Sequence, residues 1–367
     1  MELIDQTIQS LENFIEKKEL LKRTHPLRYL FWEATLRCNL NCLHCGSDCF
    51  RNNDTLSEEL ESSVLKETLT EISKHYDPKK ITFAIIGGEP LLRPDIIDVG
   101  SFASKLGYRW GITTNGTLLD SEIIVKLRKA GLQTISVSLD GLEKEHDRLR
   151  NSSGCYQRVI KGVRHLVEIP FYKAFDLICC VSKLNLNTLP AFIETLIELR
   201  VPAVRFVPVF SRGRASQNSH LMLEIDDYHF LLDFISAIRK APPQIKISLG
   251  EEGYWGPEWE CQVRDSFHYC GSGITIGTIL HNGYVTGCPS VSRKFIQGSI
   301  KKKSFIEIWN DEFYSYRKGK KELFSYKCQD CSHWELCEGG GFHLLDQSKM
   351  GNVCNYKQII HRKRMGR

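Results

Sequence analysis

Fourteen cysteines in 367 residues, and the way they cluster, constrain this chain more than any other feature. They stand at 38, 42, 45 and 49, then at 155, 179 and 180, then at 261, 270, 288, 328, 331, 337 and 354. A disulfide-stapled scaffold would be a much shorter chain with an export signal. The opening MELIDQTIQSLENFIEKKEL carries acids throughout and does not read as a signal peptide. No apolar run reaches the length of a membrane span. The expectation is a cytoplasmic protein of a reducing compartment, with cysteines gathered at both ends as metal ligands.

Apolar residues make up 42% and charged residues 25%, which excludes a disordered or fibrous chain and supplies a sizeable core. Lys+Arg 49 against Asp+Glu 44 leaves +5, too weak an excess to argue for nucleic acid. The length suggests two modules, or one large α/β barrel with an appendage.

Residues 1–27 place Leu3, Ile4, Ile8, Leu11, Phe14 and Ile15 at helical spacing, which predicts an amphipathic helix. Strand-like runs follow at 28–35, 81–87, 108–115, 134–140, 175–182 and 203–210, separated by helical stretches. The runs are mostly apolar, which indicates a parallel sheet buried on both faces. Six units in about 180 residues are fewer than the eight of a full barrel, so a partial barrel and a doubly wound sheet both fit. After residue 215 come a loop (SRGRASQNSH), a helix over 224–239, a short strand (QIKISL) and a cysteine-rich tail. The expected division is 1–27, 28–215, a bridging segment 216–268, and 269–367.

The loop after the first strand reads Cys38-Asn-Leu-Asn-Cys42-Leu-His-Cys45. Zinc sites usually take ligands in pairs; three cysteines on one loop leave a metal site one ligand short. A four-iron cubane held by three thiolates keeps one iron open to another ligand. This C-x3-C-x2-C loop resembles the signature of the radical S-adenosylmethionine superfamily. Gly87-Gly88-Glu89-Pro90 resembles that family's GGEP motif, and the glycines permit close backbone approach to a ligand. Thr113-Thr114-Asn115-Gly116 and Ser136-Val137-Ser138-Leu139-Asp140-Gly141 are further polar caps on apolar strands. The resemblance implies a partial (β/α)6 TIM-like barrel, and a four-iron cluster held by Cys38, Cys42 and Cys45 with its open iron on S-adenosylmethionine. It implies Gly87, Gly88 and Glu89 at the methionine amino group, with Asn115 on the same rim. Ser138 would bind the ribose, Arg150 the carboxylate, and His44 and Val207 the adenine. A solvated helix arginine and a plain buried histidine are the competing readings of Arg150 and His44.

Cys270 and Cys288 frame two β-branched runs joined at His281-Asn282-Gly283, a strong hairpin signal. Cys328-x2-Cys331-x5-Cys337 and Cys354 follow. The set resembles the SPASM extension, a small cysteine-rich α+β domain that in full holds two auxiliary four-iron clusters. By that resemblance Cys328, Cys331, Cys337 and Cys354 complete one cluster. The other would have Cys270, Cys288 and upstream Cys261, because Gly341 stands where the family has a cysteine. That site is then open at one iron, or completed by His343, Asp346 or another group, or absent. A structural zinc ribbon is the rival for the tail. Cys155, Cys179 and Cys180 read as small buried hydrophobes, and Cys49 as structural rather than substrate-facing. The Lys301–Lys303 run and the HRKRMGR terminus read as solvated.

The resemblance implies an enzyme that cleaves S-adenosylmethionine to a 5′-deoxyadenosyl radical and takes hydrogen from a substrate. In such enzymes the substrate is most often a peptide or protein; a small molecule or tetrapyrrole is the alternative, and a non-enzymatic iron–sulfur carrier a third. The one-electron donor would be a flavodoxin or ferredoxin. No residue is assigned as general acid or base. With strand one starting near residue 28, an added peptide-recognition domain at the N-terminus is not expected. FWEATLRCNLNCLHCGSDC also resembles a subfamily of gut anaerobes that accompanies a lipoprotein.

Overall fold

The structure, a computed structural model, describes residues 2–47, 49, 58–170, 172–240, 244–250, 253–323, 328, 330–345, 354–357 and 359. Asp346, the HRKRMGR terminus and the side chains of Leu3, Ile4 and Ile8 lie outside the described residues. Helix Glu2–Thr24 (α1) precedes six parallel strands that lie side by side in chain order. These are Tyr29–Thr35 (β1), Thr82–Gly87 (β2), Arg109–Thr114 (β3), Thr134–Ser138 (β4), Ala174–Val181 (β5) and Ala203–Pro208 (β6). Each falls on a run expected from sequence.

The intervening helices are Ser62–His75 (α2), Ile96–Leu106 (α3), Ser121–Lys129 (α4), Glu143–Arg150 (α5), Cys155–Glu168 (α6) and Leu189–Glu198 (α7). Local chemistry sets their ends. The Asp120 side chain accepts from the Ile123 N–H to cap α4. The helical stretch between β4 and β5 is two helices, because Asn151 (φ 50°) and Gly154 (φ 67°) adopt left-handed backbone between α5 and α6. α6 then buries Cys155, Val159, Ile160, Val163 and Leu166 along one stripe.

The strands alternate more than a sheet buried on both faces would. In β5, Phe175, Leu177, Cys179 and Val181 are buried, whereas Asp176, Ile178 and Cys180 between them are half-buried. One face packs on helices and the other lines an accessible interior carrying polar groups. Ser136 Oγ donates to Asp176 at 2.5 Å, and Arg205 pairs with Asp176 at 2.9 Å.

The sheet also extends beyond six strands. After helix Ile225–Lys240 (α8), Lys246–Leu249 (β7) pairs parallel with β6. After helix Pro257–Val263 (α9), Ile276–Ile279 (β8) pairs parallel with β1, and Tyr284–Thr286 (β9) and Gly298–Ser299 (β10) continue antiparallel. The order is β10-β9-β8-β1-β2-β3-β4-β5-β6-β7. The bridging segment and the tail therefore cover the two open edges of the expected core, where unpaired backbone would otherwise face water.

A buried ionic node keys the tail to β1. Glu33, 1% exposed, meets His281 Nδ1 at 2.9 Å and takes Arg293 Nη2 on both oxygens at 2.8 and 3.0 Å. Burial raises the Glu33 carboxyl, but the His281 and Arg293 contacts outweigh it and leave the carboxyl below its ordinary range.

Candidate metal and cofactor centre

β1 feeds the chain into the loop of Cys38, Cys42 and Cys45, and β2 holds the start of that loop. The Gly88 N–H donates to the Thr35 carbonyl and the Glu89 N–H to the Arg37 carbonyl, both at 2.8 Å. A Cβ on Gly88 would collide with the Arg37 carbonyl, and one on Gly87 with the Thr35 carbonyl. The two glycines thus permit close approach of this strand end to the cysteine loop.

Cys38 and Cys42 are buried, Cys45 is half-buried and Cys49 is 3% exposed. Burial pushes Cys38 up to about 11 and raises Cys42 as well. Cys45 is drawn down to about 5, first by a hydrogen bond from the Cys49 thiol; burial opposes this, and the Cys49 backbone and Arg214 reinforce it. The Cys49 thiol thus favours the thiolate form of Cys45.

Residues 211–220, read from sequence only as a loop, fasten the cysteine loop from the far side. Arg214 donates from Nε to the Cys42 carbonyl at 3.0 Å and from Nη1 to the Cys49 carbonyl at 2.6 Å. Its own N–H donates to the Cys45 carbonyl at 3.0 Å, and Asn218 Nδ2 donates to the Leu43 carbonyl at 3.1 Å. The available signal was two many-donor side chains in a segment that follows strand six.

The polar strand caps meet above this loop. The Glu89 carboxylate, fully buried, accepts from Thr114 Oγ1 at 2.8 Å, the Asn115 N–H at 2.7 Å and the Leu91 N–H at 3.1 Å. Burial nevertheless raises its pKa to about 6. Three of its roughly four lone-pair sites are filled, which leaves room for one more donor. Asn115 Nδ2 donates to Asn39 at 2.8 Å and stands 3.9 Å from Cys38 Sγ. Ser138 is half-buried at the end of β4.

Arg150 is buried, which excludes the solvated-arginine reading. Its Nε lies 2.7 Å from Asp140 Oδ2, and its Nη1 lies 3.7 Å from Cys42 Sγ. Asp140, absent from the candidates, is fully buried and also accepts from the Cys180 N–H at 2.9 Å. His44 Nε2 is 3.4 Å from the same carboxylate, and burial lowers its imidazole to about 4, so it is neutral. Cys180 departs from the bland reading. It is half-buried and lines a cavity of about 240 Å³ with His44, Cys45, Val207, Phe210 and Arg212.

In the tail, Cys328, Cys331, Cys337 and Cys354 line one cavity of about 220 Å³, walled by Tyr254, His333, Trp334 and Tyr356. Burial pushes Cys337 up to about 12. The neighbouring Glu338 pairs with Lys18 at 3.0 Å and Lys22 at 2.5 Å, which docks α1 against this site. Cys261 is exposed on α9, whose buried side carries Glu260 and Val263. The structure does not bring its thiol to a shared site.

Among the described residues, His44, Asp140 and Cys180 bring ligand atoms within 4.8 Å of one another, and there Arg150 already supplies the positive charge.

Family models agree with this geometry. Residues 32–196 match the radical SAM superfamily and residues 270–332 the SPASM iron–sulfur cluster-binding domain. An AdoMet-dependent heme synthase of Methanosarcina barkeri is 30% identical over 87% of this chain and 93% of its own length. An Fe-coproporphyrin III synthase of the same organism is 27% identical over 88% and 84%. Native anSMEcpe, solved with bound AdoMet and Kp18Cys peptide, superposes with a TM-score of 0.71 at 18% identity, covering 92% of this chain and 95% of that one.

Fold and matches together define an iron–sulfur enzyme that uses S-adenosylmethionine. The chain belongs to the radical SAM superfamily and carries a SPASM domain. Its cofactors are S-adenosylmethionine, a four-iron cluster with an open iron, and auxiliary iron–sulfur binding in the tail. Among the described residues no helix is long and apolar enough to cross a membrane.

Proposed function

We propose that Cys38, Cys42 and Cys45 hold the radical cluster and that the rim above them holds S-adenosylmethionine. When bound, the pair supplies one-electron chemistry that removes a hydrogen atom from a substrate C–H bond. The residues of this chain position that chemistry. Glu89 offers its remaining acceptor site to the methionine ammonium, and Arg150 faces the carboxylate from the buried side. Ser138 takes the ribose, while neutral His44 and Val207 flank the adenine. Asp140 balances Arg150, so that the buried guanidinium is fixed before the cofactor arrives. The observation that carries this reading is the meeting of three loop thiols with Glu89, Asn115 and Arg150 in one buried rim.

The substrate proposed is a peptide or protein side chain. The accessible interior beside the cavity, with Ser136, Asp176 and Arg205, gives polar anchors for a flexible chain. The superposition on anSMEcpe, which was solved with a peptide, supports it. An iron tetrapyrrole is the second reading, favoured by the names of the two full-length relatives. Anaerobic incubation with S-adenosylmethionine and a chemical reductant separates them. A peptide encoded beside the gene should change mass, whereas conversion of Fe-coproporphyrin III would select the second reading.

A further inference from the structure

The SPASM pattern lacks its expected cysteine in this chain at Gly341, and the structure shows what stands there instead. Gly341 has φ −77° and ψ 146°, an extended backbone that any residue adopts, so conformation does not demand glycine. What a side chain here would meet is the His343 ring, which would have to shift. A Cβ built on Gly341 would lie 2.5 Å from His343 Nδ1 and still closer to Cε1. The imidazole occupies the room that a cysteine at 341 would need.

His343 is itself 9% exposed, and its Nε2 is buried without a hydrogen-bond partner. A buried ring nitrogen without a hydrogen-bond partner is costly unless a bound group engages it. The residue before it leads toward the two remaining thiols. The neighbouring Phe342 packs on Tyr316 with ring centroids 4.3 Å apart. The Tyr316 hydroxyl takes the Gly287 N–H at 3.3 Å, one residue before Cys288, and a Cβ on Gly273, three residues after Cys270, would meet the Tyr316 ring. Cys270 and Cys288 both lie within electrostatic reach of that tyrosine. Cys270 and Cys288 thus stand by the Tyr316 ring on which Phe342 packs, one residue before His343, whose own ring lies 5.1 Å from that of Phe210, while Cys261 stays exposed on α9.

We infer that His343 is the missing ligand: Cys270, Cys288 and His343 form an auxiliary iron–sulfur site of mixed thiolate and imidazole ligation, with one coordination position left open. Imidazole can replace thiolate on a cluster iron and raises its potential when it does. The inference rests on the iron–sulfur reading of the tail, and its test does not use turnover.

The protein to use is the full chain carrying Cys38→Ala, Cys42→Ala and Cys45→Ala, reconstituted anaerobically, so that only tail clusters contribute. It should hold about eight irons, two cubanes, and pulsed EPR of the reduced protein should show one strongly coupled nitrogen. Adding His343→Ala should remove that coupling and lower the iron to about four. The further change Gly341→Cys, with His343→Ala retained to make room, should restore the iron without the nitrogen signal. That rescue separates ligand loss from misfolding. Absence of the nitrogen coupling, or unchanged iron and spectra in His343→Ala, overturns the assignment while leaving the Cys328 cluster intact. Zinc without iron throughout the tail overturns the iron–sulfur reading on which it rests.

Discussion

The Arg150 guanidinium lies 2.7 Å from the Asp140 carboxylate, and both groups are buried at the mouth of the cysteine loop. Neither charge is tolerable alone, and together they carry one positive head to within 3.7 Å of Cys42 Sγ. The pair therefore braces the cysteine loop, and in the proposed function it also presents donors toward the cofactor.

Removing one partner should expose that coupling. Asp140→Ala leaves a buried arginine uncompensated, a loss of about 3–5 kcal/mol in stability. Arg150→Ala should weaken S-adenosylmethionine binding by about ten- to a hundred-fold, the equivalent of one charge-assisted contact. Equilibrium dialysis on reconstituted protein with wild-type iron content checks the second. Unchanged affinity would remove Arg150 from the cofactor rim.

Arg214 should matter to the cluster without touching cofactor. Its side chain donates to the Cys42 and Cys49 carbonyls. Arg214→Ala frees two buried carbonyls, each worth on the order of 1–3 kcal/mol, and should speed iron loss from the radical cluster selectively. Iron release to a chelator, followed with the tail clusters as internal reference, reads this out. Equal loss from all clusters would point to general destabilisation instead.

Glu89 gives a pH dependence with opposite signs for binding and stability. Burial raises its folded pKa from 4.5 to about 6. The folded protein thus binds the proton more tightly than the unfolded chain. Its contribution is fully present below 4.5 and is lost as pH rises through about 6, roughly 2 kcal/mol in all. Binding of the methionine ammonium needs the ionised form and so strengthens over the same window. Titrating S-adenosylmethionine affinity between pH 5 and 7.5, in wild type and Glu89→Gln, tests this. A wild-type profile as flat as that of the variant contradicts it.

Glu338 ties α1 to the tail through Lys18, which is 2% exposed. Glu338→Ala strands a buried ammonium beside Cys337 and should cost about 3–5 kcal/mol, lowering the unfolding midpoint and loosening iron at Cys328, Cys331, Cys337 and Cys354. A thermal shift within error of wild type would mean that α1 does not brace this site.

Much of this was legible in sequence because chemistry and period coincide there. Six apolar runs with turn residues between them became β1–β6, and the loop cysteines fell at the carboxyl end of β1 as the spacing implied. What escaped was long-range. QIKISL was readable as a strand, but nothing local says that it pairs with β6, or that β8 lies beside β1 some 250 residues away. The same holds for Glu33 with His281, and for Arg214, whose partners are backbone carbonyls with no sequence signature. Cys180 was misjudged because an apolar run hides the alternation that turns every second side chain of β5 toward the interior. The gap at Gly341 was visible; only the structure puts the His343 ring in it.

The central claim is that three thiols on the loop after β1 hold the cluster that opens S-adenosylmethionine. Its most direct test compares 5′-deoxyadenosine formation by wild type and by the Cys38→Ala, Cys42→Ala, Cys45→Ala variant, both reconstituted anaerobically and given a chemical reductant. The wild type should form 5′-deoxyadenosine, and the variant none above the protein-free background while its tail clusters remain. Cleavage by the variant at the wild-type rate would contradict the account.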